Sequence, residues 1–246
     1  KCKIVWFLHN KHVHGSTCFW KKRMSDFLMK FLVRFSDIVV THSLEGIEYA
    51  NLAFGRNKNI YFFSHPTKNR LSKPNSNVKK NDFLIWGSIN EYKQVREFLE
   101  FVKKNKCPYK IKIVGKCNQN YYSDLLLLQT PNIEIENRGV SFTELQTFIN
   151  DAKYVLIPYA PSSVLSSGTL MDSLSYGAKV IGPNVGAFAE LEKNMDICVY
   201  TFNEFSDIEF ILRQDDKVIN VIRYGGFLES NSWKMFMVKL VDILCV

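Results

Sequence analysis

The sequence predicts an α/β protein made of two parallel-sheet units joined by a linker. Three observations carry that expectation. Short apolar runs alternate with stretches of helical apolar spacing along nearly the whole chain, which is the rhythm of β-α-β crossovers and so of parallel strands. The rhythm breaks once, at residues 67–81, where TKNRLSKPNSNVKKN is polar, basic and carries Pro74. Glycines and small hydroxyl residues also recur at the expected strand ends, where open parallel sheets bind ligands.

Taken in order, residues 3–8 (KIVWFL) read as a buried strand. Residues 17–35 place Phe19, Trp20, Met24, Phe27, Leu28, Phe31, Leu32 and Phe35 near helical spacing, with Lys21, Lys22, Arg23, Lys30 and Arg34 between them. That is an amphipathic helix with a basic face. Residues 37–41 form a strand, Ser43 caps a helix running to about 54, and residues 59–64 form a third strand. The first unit is therefore 1–66. Its three strands are few for a doubly wound sheet, and the chain opens on Lys1, so this unit is expected to be truncated.

After the linker the rhythm restarts and fills a second unit, 82–229. Strands are expected at 83–86, 110–114, 133–136, 154–157, 178–181 and 198–200. Helices are expected at about 92–104, 121–129, 142–151, 167–177, 187–192 and 204–213. A closing helix over 230–244 ends the chain.

Composition narrows the function. Net charge is +8, but residues 1–80 carry 15 Lys/Arg against 4 Asp/Glu, a net of +11, and the rest carries −3. The first unit thus faces an anionic partner. No zinc-finger, helix-turn-helix or RNA-binding signature accompanies the charge, so no nucleic-acid partner is expected. No apolar run approaches the ~18 residues of a membrane span. The six cysteines are scattered without C-x-x-C, as in a reducing compartment. His9, His12, His14 and Cys18 are ligand types, but their spacing matches no common zinc motif, so no metal is expected.

The chemistry concentrates at strand ends. Pro161 to Gly177 (PSSVLSSGTLMDSLSYG) follows an apolar strand and starts a helix at Ser167-Gly168. Its free N–H groups and dipole favour a phosphate. Gly87-Ser88 ends the strand FLIW, and Lys93 stands near the next helix start, where the dipole disfavours a cation unless an anion is bound. Arg138-Gly139-Val140 follows the strand NIEIEN. A plain N-cap, a solvated lysine and a turn glycine would account for these loops singly. Loops 87–93, 138–140 and 162–169 together predict one crevice on one edge of the sheet. In the first unit, His9 ends the first strand as a cleft residue, and His65 is a second, minor candidate.

These stretches resemble the group 1 GT-B glycosyltransferases, retaining enzymes with two Rossmann-like domains. The matching segments are WGSINEYK (86–93), YKIKIVG (109–115), NRGVSFTELQTFINDAKYVLIPY (137–159) and SSGTLMDSLSYGAKVIGPNVGAFAEL (166–191), with WFLHN and SDIVVTHS less specifically before residue 80. The resemblance implies transfer of a sugar from a UDP- or GDP-sugar to a hydroxyl of a glycan or lipid-linked acceptor, in bacterial cell-surface polysaccharide or lipid-linked glycan synthesis. It implies that Gly87, Ser88, Lys93, Ser166, Ser167, Gly168 and Thr169 bind the donor diphosphate. Arg138, Gly139, Val140 and Asp172 would bind the nucleoside, and His9 would be catalytic beside the sugar and acceptor. Asn231-Ser232-Trp233 and the helix after it resemble the family's closing helix, which implies that segment 230–246 packs back toward the first unit, and no cofactor or metal is implied. A cytoplasmic location follows, with helix 17–35 offering a peripheral contact to an anionic membrane surface.

The sequence departs from the family in three places. Val164 stands eight residues before Asp172, where the first acidic residue of the E-x7-E signature is expected. Ser88 replaces a basic residue. The family's first strand and glycine-rich loop would lie upstream of Lys1. A non-catalytic nucleotide-sugar-binding module, or an inactive fragment, is the alternative these departures leave open.

Overall fold

The computed structural model describes residues 2–11, 19–71, 78–162, 164–215 and 217–245. His12, His14, Cys18, all of segment 72–77 and Ser163 lie outside the described residues.

The first sheet holds β1 (Val5–Leu8), β2 (Ile38–Thr41) and β3 (Ile60–Phe62), all parallel, in that order. Helix α1 (Phe19–Phe35) joins β1 to β2, and α2 (Leu44–Phe54) joins β2 to β3. The cap expected at Ser43 forms, its side chain accepting from the Gly46 N–H. The pleat sends Leu8 and Val39 to one face, where Met29 and Val33 of α1 and Ala50 and Phe54 of α2 cover them.

The second sheet has six parallel strands in the order β6-β5-β4-β7-β8-β9. They are β4 (Asn81–Trp86), β5 (Ile111–Val114), β6 (Ile133–Glu136), β7 (Ala152–Leu156), β8 (Val180–Pro183) and β9 (Val199–Phe202). Two apolar layers sandwich it. One packs Phe83, Ile85, Ile111 and Ile113 against α3 (Val95–Lys104), α4 (Gln119–Leu126) and α8 (Asp207–Gln214). The other packs Leu84, Val114, Val155 and Val180 against α5 (Phe142–Asp151), α6 (Gly168–Ser175), α7 (Gly186–Glu192) and α9 (Val221–Ser230). The chain winds outward from β4 through β5 and β6, then returns to start again at β7. The strand order therefore switches between β4 and β7.

Every expected strand forms, with ends shifted by one or two residues. The helical reading needs correction at two places, and part of the expected linker makes contacts of its own. The helix expected from 92 is broken: residues Glu91–Lys93 form a single 3-10 turn, Gln94 has φ 50°, and α3 begins only at Val95. Lys93 thus precedes the helix rather than starting it. The segment 221–230 carried no helical expectation, and Gly225 and Gly226 each cost about 1 kcal/mol in a helix relative to alanine. Helix α9 forms because Tyr224, Phe227 and Leu228 are buried, the Tyr224 hydroxyl donating to the Leu174 carbonyl at 2.9 Å, and because Asn220 caps it. Finally, residues 67–71 do not run free as a linker. Thr67 is buried, donates from its hydroxyl to the Met171 carbonyl and pairs with Ser232.

Among the described residues, several contacts tie the two sheets. The last helix, α10 (Trp233–Cys245), returns to the first sheet, where Phe236 packs on Ile38, Val40 and Phe63. Helices α2 and α7 exchange carboxylates at their amino ends. Glu190 accepts from the Leu44 N–H at 2.5 Å, and Glu45 accepts from the Gly186 N–H at 2.7 Å. Asn10, after β1, forms an antiparallel bridge with Val164.

Candidate functional site

The crevice outside the carboxyl ends of β4 and β7, at the switch in strand order, is where open α/β sheets place ligands. The loop after β4 turns at Gly87, whose φ of 97° suits glycine. A Cβ built there would lie 3.7 Å from Lys93 Nζ and 3.6 Å from Thr169 Oγ1. Two of the three predicted loops therefore meet at one point. Lys93 is only 4% exposed. Its ammonium lies 5.0 Å over the Tyr159 ring, and among the described residues no carboxylate pairs with it. Tyr159 Oη donates to or accepts from Thr169 Oγ1 at 3.2 Å, tying that ring to α6.

Helix α6 opens with Ser167 as N-cap, its hydroxyl accepting from the Leu170 N–H. That hydroxyl serves the helix, which leaves the first-turn N–H groups of Gly168 and Thr169 without an intrahelical acceptor. Ser166 is buried and its hydroxyl has no hydrogen-bond partner. It lines a small cavity of about 20 Å³ with His42, Ser64, His65 and Glu190.

The third loop stands further along the edge, after β6, two strands from β4. Arg138 is held there by Glu136 and Glu144, at 2.5 and 2.8 Å. Gly139 faces Lys116, and Val140 packs into the apolar layer. Asp172 lies on α6 with Arg70 at 3.5 Å, and Arg70 stacks over Phe142 at 4.4 Å. Burial pushes the Asp172 carboxyl up, against the opposing pull of Arg70 and His65. Ser88 is exposed and its hydroxyl accepts from the Asn90 amide.

On the facing sheet the three strand ends each carry a histidine: His9 after β1, His42 after β2 and His65 after β3. Ring centroids are 4.7 Å apart for His9–His42, 5.0 Å for His42–His65 and 6.0 Å for His9–His65. His42 is buried and its Nδ1 donates to the Phe63 carbonyl at 2.7 Å. Burial lowers its pKa to about 4, so it is neutral near pH 7. A Cβ built on Gly168 would lie 3.8 Å from His65 Nε2, which puts this imidazole against the first turn of α6.

A larger cavity, about 540 Å³, opens at the amino ends of β7 and β8. Its lysines are engaged: Lys153 with Asp82 and Lys179 with Asp215. It lies away from the carboxyl edge where the glycine loops gather.

No protein-family model and no curated protein sequence matches this chain. Solved structures do. HepE of Anabaena, solved with UDP-glucose, superposes with a TM-score of 0.73 at 13% identity, over 98% of this chain and 71% of HepE. TarM of S. aureus, solved with fondaparinux, α-GlcNAc-glycerol and UDP, gives 0.69 at 13% identity over 97% of this chain and 50% of TarM. Sucrose-phosphate synthase from Thermosynechococcus elongatus gives 0.71 at 11% identity, over 98% of this chain and 66% of its own. This chain has the GT-B fold. It spans about half of TarM's length.

Within the GT-B frame, Val164 is a buried core residue, 3% exposed, with its backbone held by Asn10. A carboxylate at that side-chain position would be desolvated. The sequence reading missed His42, Tyr159 and Arg70. His42 had a signal: it ends its strand as His9 and His65 end theirs. Tyr159 read only as the end of an apolar run, and Arg70 was hidden in the expected linker.

Proposed function

We propose that the crevice between Gly87, Lys93 and the first turn of α6 binds the diphosphate of a nucleotide-sugar, and that the chain transfers the sugar to a hydroxyl acceptor with retention of configuration. The observation that carries this reading is Lys93. It is 4% exposed, its ammonium lies over the Tyr159 ring, and among the described residues no carboxylate pairs with it, so its charge is left for an anion to meet. The N–H groups at Gly168 and Thr169 would hold the same anion from the other side. In the reaction the bond from the anomeric carbon to the β-phosphate oxygen breaks, and a bond to the acceptor oxygen forms. Negative charge grows on the departing nucleoside diphosphate, where Lys93 and the α6 dipole would stabilise it. Arg138, Gly139, Val140 and Asp172 would border the nucleoside around Phe142, with Ser166, Ser167 and Ser88 completing the phosphate side. His9 would lie nearest the sugar and acceptor. UDP is the preferred base because HepE and TarM were solved with it.

The test is a melting-temperature series with UDP, UDP-glucose and GDP. A donor at about a hundred times its Kd should add roughly 2.7 kcal/mol of stability, about 5–10 °C for a chain of this size. No shift with any of them near millimolar would end this reading. Val164 supports a second one, a nucleotide-sugar-binding protein without transfer, in which donor binds but no acceptor is glycosylated.

The acceptor would be lipid-linked and reached from the cytoplasmic face of an anionic membrane. No helix among the described residues is long and apolar enough to cross one. Met29 and Val33 face the core, while Trp20, Met24, Phe27, Leu28, Phe31 and Phe35 are exposed beside Arg23, Lys30 and Arg34. That pairing of aromatic and basic residues suits an interfacial helix. Co-sedimentation with phosphatidylglycerol vesicles, absent with phosphatidylcholine and lost on Phe27→Ser with Phe31→Ser, is the expected result. Equal recovery with both lipids would exclude it.

A further inference from the structure

We propose that His65 closes the diphosphate site from the first sheet, donating from a protonated imidazole to a phosphate oxygen held at the first turn of α6. The inference rests on the donor reading above and adds a group that the sequence motifs do not assign to the phosphates.

The tautomer decides the chemistry. His65 Nδ1 lies 3.1 Å from the Pro66 carbonyl oxygen. A carbonyl only accepts, so Nδ1 carries hydrogen. In the neutral ring Nε2 is then an acceptor. It is also the atom aimed at α6, within 3.8 Å of a Cβ built on Gly168. Phosphate oxygens in a diphosphate diester are acceptors too, so a contact requires a second proton on Nε2. Donor binding must therefore take up a proton at His65.

The surroundings permit one such proton. His42, 5.0 Å away between ring centroids, has its own Nδ1 committed to Phe63 and stays neutral. His9, at 6.0 Å, opposes a second charge. From α6, Asp172 faces His65 with a carboxylate shared with Arg70, and from α7, Glu190 lines the same small cavity. Of the two carboxylates, Asp172 interacts with the His65 charge and favours a cation there. Ser166, whose buried hydroxyl has no hydrogen-bond partner among the described residues, lines this cavity with His65 and is a second, independent sign that a polar group, a phosphate oxygen or a water, belongs there.

The experiment is calorimetric titration with UDP-glucose, whose diphosphate keeps the same charge between about pH 6 and about pH 8, on the wild type and on His65→Gln. Glutamine keeps an N–H donor but cannot titrate. Wild-type affinity should fall as the pH rises, by up to about ten-fold per pH unit where binding takes up one proton, and the variant should show no slope. An unchanged slope in His65→Gln, or no slope in the wild type, overturns the inference while leaving the donor reading intact. No binding by the wild type at any pH overturns both. If His65→Gln does not fold, imidazole NMR titration of the wild type serves. One histidine should titrate at higher pH when UDP-glucose is added, and no movement of any imidazole refutes the contact.

Discussion

Lys93→Met is expected to abolish tight donor binding while leaving the ligand-free fold intact. The substitution keeps an apolar stem of similar length against Tyr159 and removes the ammonium. Hydrogen bonds to charged groups are worth about 1.5–3 kcal/mol, so affinity for UDP-glucose should drop roughly 10–100-fold. Without ligand, the wild type holds a cation 4% exposed with no carboxylate partner among the described residues. Its removal should leave the melting temperature unchanged or raise it. The opposite pair of outcomes, binding kept and stability lost, would make Lys93 a packing residue. Calorimetry and thermal unfolding on one preparation separate the two.

The sequence shows the fold more fully than it shows the site. Strands were legible because each is a short apolar run that ends in a polar or glycine residue, and a six-stranded parallel sheet buried on both faces leaves little else for such runs to do. Helix α9 was not legible, because two glycines argue against a helix locally and only the burial of Tyr224 and Phe227 overrides them. At the site, Gly87, Lys93 and Thr169 could be singled out by their position after strands. That Lys93 would be buried and unpaired could not, since it depends on where Tyr159 and α6 fall in space. The histidine cluster is of the same kind. His9, His42 and His65 are far apart in sequence, and only the parallel register of β1, β2 and β3 brings their strand ends together. The exposure of the α1 aromatic stripe was open as well. The spacing gives an apolar face, and the structure shows that the core takes Met29 and Val33 and leaves Trp20, Phe27 and Phe31 outside.

Gly115→Ala is expected to damage both stability and donor binding, because the carboxyl ends of β4 and β5 approach too closely for a side chain. A Cβ on Gly115 would lie 1.7 Å from the Gly87 carbonyl oxygen, 2.8 Å from its carbon and 3.0 Å from the Ile89 side chain. Backbone cannot yield as a flexible side chain can, and both strand ends are pinned. Gly87 N–H donates to Val114 at 3.2 Å, and Gly115 N–H donates to Glu136 at 3.0 Å. Overpacking of this kind costs about 3 kcal/mol, or about 6–12 °C in melting temperature at this chain length. The relief is to push out the Gly87 turn, which sets the position of Lys93 against Thr169, so UDP-glucose affinity should fall with it. Gly139→Ala on the same sheet edge is the control for stability alone, because Gly139 itself is proposed to border the nucleoside. Its Cβ would meet only the flexible Lys116 stem, at 3.4 Å, and the change should stay within about 0.5 kcal/mol. Equal losses in the two variants would mean that glycine at this edge is needed for general reasons. A loss confined to Gly115→Ala would tie the close approach of β4 and β5 to the geometry that puts an unpaired lysine beside the start of α6.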